Sequence, residues 1–479
     1  MKSWSAMLAI IAGATALRVA VLAGSHLGFH GDEAQYWSWS QDLAWGYYTK
    51  PPMIAWLIRG TTIFCGDVEW CARLGSPVLH AGTSILCGLI GRHLYGDRTG
   101  LWAGLLFLTL PAVSFSSAII STDVPLLFFW ALSLFAILKV LETRSNTWAL
   151  VLGAAFGFGL LSKYAMAYFA VGTLLATTIQ RENRWFLKSG QALLAIVLAM
   201  ALIAPNIAWN LANGWATVAH IGQNANLGSP MFNPSEAIDF LSTQAGVFGP
   251  ILFVVLVWRV VRLFQVKHDP SEGFLLSYCL PVLTIVTIQA FLSRANANWA
   301  ATAYISATIV VANWLLLPTR LWIAKMSITV HIVAAGVLMV FFLGLPGLEP
   351  PLKSDPLRRL RGWDLTGIEV KSAMQAHPGR ILLLDDRKTM ASLFYQLRNA
   401  PWRPVIWDYD EQPDHHFELT ARYHPKSGDK VLLVAKWDNP HTILGRFSTV
   451  VRLGRIEVPI GAGRRRILHL FTLDGYVER

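Results

Sequence analysis

Residues 124–141 read VPLLFFWALSLFAILKVL. Wound as an α-helix at 1.5 Å per residue, such a stretch spans about 27 Å, close to the thickness of the hydrocarbon layer of a bilayer. A buried helix in a soluble core is usually shorter. Working outward, apolar runs of similar length recur near residues 5–27, 72–91, 100–118, 148–162, 164–180, 189–209, 244–264, 273–291, 298–317 and 327–345, which makes about eleven candidate spans. The pair at 148–162 and 164–180 is short and meets at Ser162-Lys163-Tyr164, a pattern of a broken or re-entrant span. The expectation is an α-helical polytopic membrane protein.

Composition agrees. Of 479 residues, 54% are hydrophobic and 14% charged, against roughly 25% charged in an ordinary soluble domain. The net charge of +11 does not point to nucleic acid, because most of the excess Lys and Arg lies in short loops beside apolar runs. Those loops alternate: Lys2, then Arg92 and Arg98, Arg144, Arg181 with Arg184 and Lys188, Arg259 with Arg262 and Lys267, and Arg320 with Lys325. Basic residues are retained on the cytoplasmic side. The expected topology therefore has a cytoplasmic N-terminus, long outward loops at about 28–71 and 210–243, and an outward tail from residue 346. The first run ends at GSHLGFHGDE with no small-residue cleavage site, so it reads as a retained helix. Four cysteines make no disulfide framework; Cys65 and Cys71 share one loop and can pair if it faces an oxidising compartment.

The tail changes character. After the linker PGLEPPLKSDP come short apolar runs, RILLLDD, PVIWDY and KVLLVAK, which predict buried strands, and ASLFYQLR, which predicts an amphipathic helix. Residues 1–345 are thus expected to form the membrane module and 346–479 a small α/β domain.

The residues able to carry chemistry concentrate in the first outward loop, HGDEAQYWSWSQDLAWGYYTKPPMIAWLIRG. Asp32 and Glu33 follow directly on the first span, where an acidic pair is costly unless solvated, paired or used; the alternative is a span end standing in water. The aromatics Tyr36, Trp37, Trp39, Trp45, Tyr47, Tyr48 and Trp56 read either as an interfacial belt, including a helix along the membrane surface, or as platforms for a sugar ring. Lys50 precedes Pro51-Pro52, which cannot continue a helix, and its ammonium can neutralise a lipid phosphate or simply snorkel. Arg294, on the outward side at SRANANW, breaks the positive-inside pattern and reads as a second phosphate cation or an interfacial anchor. Lys163, His220 and Asn298 are further candidates for a substrate cavity; the alternatives are a snorkelling lysine, a packed histidine and a polar helix end. His415 and His416 form no recognised metal spacing, and no nucleotide-binding glycine loop is present.

The string GDEAQYWSWSQDLAWGYYTKPPMIAWLI resembles the first periplasmic loop of glycosyltransferase family 83, the aminoarabinose-transferase-like branch of the protein mannosyltransferase superfamily. The resemblance continues in RHLYGDRTGLWAGLL, STDVPLLFFWALSLFAI, GFGLLSKYAM, PNIAWNLANGWATVAH and ANANWAATAYI, in the family's order, and with lower specificity in GWDLTG and LFYQLR of the tail. It implies a GT-C fold and transfer of a sugar from a polyprenyl phosphate donor to an acceptor at the outer face of the bacterial inner membrane, lipid A or lipopolysaccharide in the first place and protein or polysaccharide in the second. It also implies Asp32 as the base with Glu33 beside it, Lys50 on the donor phosphate, and Asp123 in the same cavity. Two positions depart from the aminoarabinose transferases: Gln35 stands where they have arginine, and Thr49 where they have an acid. The form here is more like the galacturonic acid transferases of lipid A and core. No cofactor is expected; a divalent metal is the alternative, which the missing acid at Thr49 weakens. Two other classes compete: a transporter or flippase using the same charges as a path, and an assembly protein built around its tail.

Overall fold

The computed structural model describes residues 2–225, 232–262, 269–350, 355–410 and 412–477. Lys267, part of the linker and residues 226–231 of the second long loop lie outside these. Two compact units emerge. One comprises residues 1–23, 45–57 and 73–339, the other residues 24–44, 58–72 and 340–479. The chain therefore does not divide simply at residue 345: most of the first loop belongs to the unit that contains the tail.

The first unit is helical. Among the described residues six helices are long and apolar enough to cross a membrane: Trp4–Ala23, Glu69–Tyr95, Asp123–Thr143, Gly190–Ala212, Pro270–Leu292 and Leu321–Phe342. A seventh arises if the bent pair Pro234–Phe248 and Pro250–Arg262 is one span. Fewer long helices than apolar runs are found because several runs are broken. The run at 100–118 divides at Pro111 into Asp97–Thr109 and Pro111–Ser116. The run at 244–264 straddles a 118° bend at Gly249, whose φ of +92° suits glycine and whose missing Cβ leaves room for the His331 ring. The run at 164–180 opens with a 3-10 turn at Tyr164–Met166, and Lys163 at the break is extended, with φ −163° and ψ 134°, so the predicted discontinuity at Ser162-Lys163-Tyr164 is present. Small residues bring helices close: a Cβ on Gly153 would lie 2.5 Å from the Ala195 carbonyl oxygen, the backbone approach that drives helix association in lipid.

The second unit is built on a five-stranded sheet: β1 (Ile381–Leu384), β2 (Val405–Ile406), β3 (Lys430–Ala435), β4 (Phe447–Gly461) and β5 (Arg464–Tyr476), in the order β2-β1-β3-β5-β4. Strands β2, β1 and β3 are parallel, and β5 runs antiparallel to both β3 and β4. The three predicted strands are β1, β2 and β3. Both faces of β1 and β3 are covered, which is why these strands read as unbroken apolar runs. ASLFYQLR lies in the helix Arg387–Gln396 and just beyond it.

The first-loop helix Gly31–Gln41 packs on this tail helix. Trp37 meets Tyr395 edge to face at 4.8 Å, Phe29 meets Tyr395 at 4.6 Å, and the Trp37 indole N–H donates to Asp67 at 3.0 Å. Trp37 and Trp39 are 2% and 1% exposed. They form protein core, which corrects the expectation of a belt or a surface helix, and Trp45 lies beyond the helix end. A further correction is the helix Met53–Cys65, which occupies a stretch read as loop.

Cys65 and Cys71 form a disulfide. Closing so short a loop constrains the unfolded chain by roughly 2 kcal/mol. Cys65→Ser is expected to lower the Tm of the detergent-purified protein, a difference that vanishes when wild type and variant are both melted in reductant.

Candidate active site

Asp32 stands in the first turn of the helix Gly31–Gln41. His30 caps that helix: its Nδ1 accepts from the Asp32 N–H at 3.3 Å, while the Glu33 carboxylate accepts from the His30 N–H at 2.9 Å. The pattern is a capping box with histidine in place of the usual serine or threonine. Glu33 is 2% exposed and its carboxylate holds the backbone at the start of this helix. The Asp32 side chain remains 44% exposed.

Arg387 meets it from the first turn of the tail helix. Its Nη2 donates to Asp32 Oδ1 at 3.1 Å and its Nη1 to the side-chain oxygen of Gln35. Partial burial pushes the Asp32 carboxyl upward, but the charges of Arg387, His30 and Lys388 outweigh it and hold the group below the ordinary aspartate range. Asp32 is thus ionised at neutral pH. Tyr36, from the same helix, is buried against Trp39 at 5.2 Å. No sequence motif points to Arg387; a basic pair in the first turn of a helix, against the macrodipole, is its local signal.

The helical unit gathers a second polar cluster. Lys163 Nζ donates to Asp123 Oδ1 at 2.7 Å, and the Asn298 amide donates to Asp123 Oδ2 at 2.6 Å. Asp123 is 8% exposed at the start of its helix. Next to Lys163 in sequence, the Tyr164 hydroxyl donates to Asn206 Oδ1 at 2.6 Å, and Asn210 donates to the same hydroxyl at 3.2 Å. Motifs scattered along the sequence, STDVP, LLSKYAM, PNIAWN and ANANWA, therefore converge in one unit. Asp123 and Asn298 line a cavity of about 500 Å³ whose other walls include Leu110, Val113, Phe115 and Leu127. An apolar chamber of this size with a few convergent polar groups is the usual form of a small-molecule site.

Lys50 belongs to the same unit. A reciprocal pair of backbone hydrogen bonds joins it to Tyr47, at 3.1 and 3.3 Å. Asn206 donates to the Trp45 carbonyl at 2.6 Å and Thr217 to the Tyr47 carbonyl at 2.8 Å, so the segment before Pro51 is tied to two helices. The Tyr48 ring meets His220 at 6.1 Å, and His220 is hydrogen-bonded to Asn224 at 2.8 Å. Arg294 is exposed just beyond the helix Leu280–Leu292 and is not among the residues lining the cavity. Another cation escaped the sequence reading: Arg18, 6% exposed in the first helix, donates to the Leu108 carbonyl at 2.6 Å. Among the described residues no group of three or more His, Cys, Asp or Glu side chains is placed to hold a metal ion.

The family model for dolichyl-phosphate-mannose-protein mannosyltransferases matches residues 49–209, a range that holds Lys50, Asp123 and Lys163. The lipid A galacturonosyltransferase RgtD of Rhizobium johnstonii is 34% identical over 413 residues, 86% of each chain. The undecaprenyl phosphate-α-4-amino-4-deoxy-L-arabinose arabinosyl transferase of Pseudomonas aeruginosa is 30% identical over 173 residues, covering 35% of this chain and 31% of that one. Among solved structures, ArnT from Cupriavidus metallidurans bound to undecaprenyl phosphate superposes with a TM-score of 0.68 over 98% of both chains at 14% identity, which establishes the fold. On the shared fold and the identity that runs through most of its length, the chain belongs to the aminoarabinose-transferase-like family of GT-C membrane glycosyltransferases, glycosyltransferase family 83 of the protein mannosyltransferase superfamily.

Proposed function

We propose that the protein transfers a uronic acid sugar from a polyprenyl phosphate to lipid A at the periplasmic face of the bacterial inner membrane. The observation that carries the mechanism is Asp32: a half-exposed carboxylate kept ionised by Arg387, as a general base at neutral pH must be. Asp32 takes the proton of an acceptor hydroxyl as that oxygen attacks the anomeric carbon. The bond from that carbon to the phosphate oxygen breaks, its electron pair leaves with the polyprenyl phosphate, and the configuration inverts. Lys50 neutralises the departing phosphate, with Arg294 as a second cation. The Asp123 cavity takes an apolar chain with its polar head toward Asp123 and Asn298, and Tyr48, His220 and Lys163 border the substrate. Tyr36 and Glu33 support the helix that presents Asp32.

The choice of sugar and acceptor rests on the Rhizobium relative, which is named for galacturonic acid and lipid A. Three features support the periplasmic placement of the first loop and tail: alternating basic loops, an expected cytoplasmic N-terminus, and the Cys65–Cys71 disulfide, a bond that persists in oxidising compartments. Mass spectrometry of lipid A from cells with and without the gene tests the proposal. The expected result is a difference of one hexuronic acid residue. An increment of another sugar would overturn the donor, and an unchanged glycolipid would overturn lipid A as acceptor and move the reading to protein or polysaccharide.

A further inference from the structure

Asp32 and Gln35 lie one turn apart, on the same face of their helix, a spacing at which two side chains can be spanned by one group. Arg387 spans them, one nitrogen on each. Its own backbone is held in place. It follows β1 directly, and the preceding Asp386 caps its helix by accepting from the Thr389 N–H at 2.9 Å and the Thr389 hydroxyl at 3.0 Å. Lys436 from the end of β3 donates to the other Asp386 oxygen at 3.0 Å. The fork is thus presented by a sheet-anchored helix and not by a flexible surface chain. Placing Arg387 and Lys388 in that first turn works against the helix dipole, and a locally unfavourable choice of this kind marks a functional site. The remaining oxygen, Asp32 Oδ2, has His30 Nδ1 at 3.8 Å, too far for a hydrogen bond, which leaves it open to an incoming hydroxyl.

We infer that Arg387 is a positioning residue for the general base: its two-pronged grip fixes the Asp32 carboxylate in one orientation, so that the C-terminal part of the chain is a working component of the transferase. The inference rests on the assignment of Asp32 as base. The charged and titratable groups around the pair are His30 and Glu33 on the first-loop helix, Asp386 and Lys388 on the tail helix, Arg359 from the turn before Trp363, and His415. Arg387 itself contacts Asp32 through a hydrogen-bonded ion pair, whereas His30 Nδ1 stands 3.8 Å from the carboxylate. Without it the balance at Asp32 tips toward the burial effect, which raises the carboxyl. The acid limb of the rate profile then moves to higher pH.

The test uses the full-length protein in membranes, with undecaprenyl-phosphate-linked radiolabelled galacturonic acid as donor and lipid A as acceptor. Arg387→Gln is expected to lower kcat about 10- to 100-fold with KM for the donor nearly unchanged, and to shift the acid limb upward. Arg387→Lys restores the charge but not the fork, so its acid limb returns toward the wild-type position while kcat stays depressed; this variant serves also if the glutamine form fails to fold. Wild-type kcat and an unmoved limb in Arg387→Gln, or wild-type kcat in Arg387→Lys, would overturn the inference while an inactive Asp32→Asn leaves the base assignment standing. A fully active Asp32→Asn would instead overturn the base assignment itself, and the inference with it.

Discussion

Asp32→Asn is expected to reduce sugar transfer by about 10²- to 10⁴-fold in kcat, the usual contribution of a positioned general base, with donor binding preserved. The substitution is close to isosteric. The asparagine oxygen can still accept from Arg387 and the backbone cap by His30 involves the main chain of residue 32, so the helix should hold its place. What disappears is a group able to accept a proton. Single-turnover transfer of labelled sugar, measured beside retention of labelled donor on the purified protein, separates chemistry from binding. A transporter reading makes the opposite forecast: movement of donor across the bilayer would change and transfer would never have been present. An assembly-protein reading predicts no effect of the substitution at all.

Lys163→Met is expected to be the most damaging substitution in the helical unit. Lys163 and Asp123 are 19% and 12% exposed at the side chain and meet at 2.7 Å. Removing the cation leaves a buried carboxylate with the Asn298 amide as its remaining described hydrogen-bond donor, and breaking a buried pair from one side costs about 3–5 kcal/mol. The reverse substitution, Asp123→Asn, should cost less, because a long lysine stem can carry its ammonium toward water. The double variant Lys163→Met with Asp123→Asn should therefore recover much of the stability lost by the first. Thermal unfolding of the four proteins in detergent gives the coupling directly, and strictly additive losses would show that the two groups do not act as a pair.

The parts of the molecule that could be read from sequence are those governed by local physics. Apolar length located the six long helices, although not a count of eleven spans, and RILLLDD, PVIWDY and KVLLVAK located β1, β2 and β3, because a strand covered on both faces is a continuous apolar run. The hairpin of β4 and β5 was missed although its signal was local. Ile456 and Val458 are buried and alternate with the more exposed Arg455, Glu457 and Pro459, and the turn is Gly461-Ala462-Gly463, all three with positive φ; alternation and a glycine pair are a hairpin signal. Asp123, Lys163 and Asn298 are each expected at a cavity from their motifs, but their direct pairing is not legible, since Lys163 and Asn298 lie 40 and 175 positions from Asp123. Arg387 is 355 positions from Asp32, and no periodicity encodes so distant a contact. The three-residue spacing of Glu33 from His30 is the local signal for its contact with the His30 N–H.

The interleaving of the first loop between the two compact units bears on how such enzymes can diversify. Residues 24–44 and 58–72 belong with the sheet, whereas 45–57 belong with the helices, so the tail is not a cassette with a single splice point. Grafting the sheet of one relative onto the helices of another would strand Tyr395 and Arg387 without their native counterparts unless residues 24–44 and 58–72 travelled with them. Inheritance of new substrate preferences should accordingly proceed by coordinated change at both ends of the gene, and chimeras that respect this three-segment boundary should be folded and active where simple tail exchanges are not.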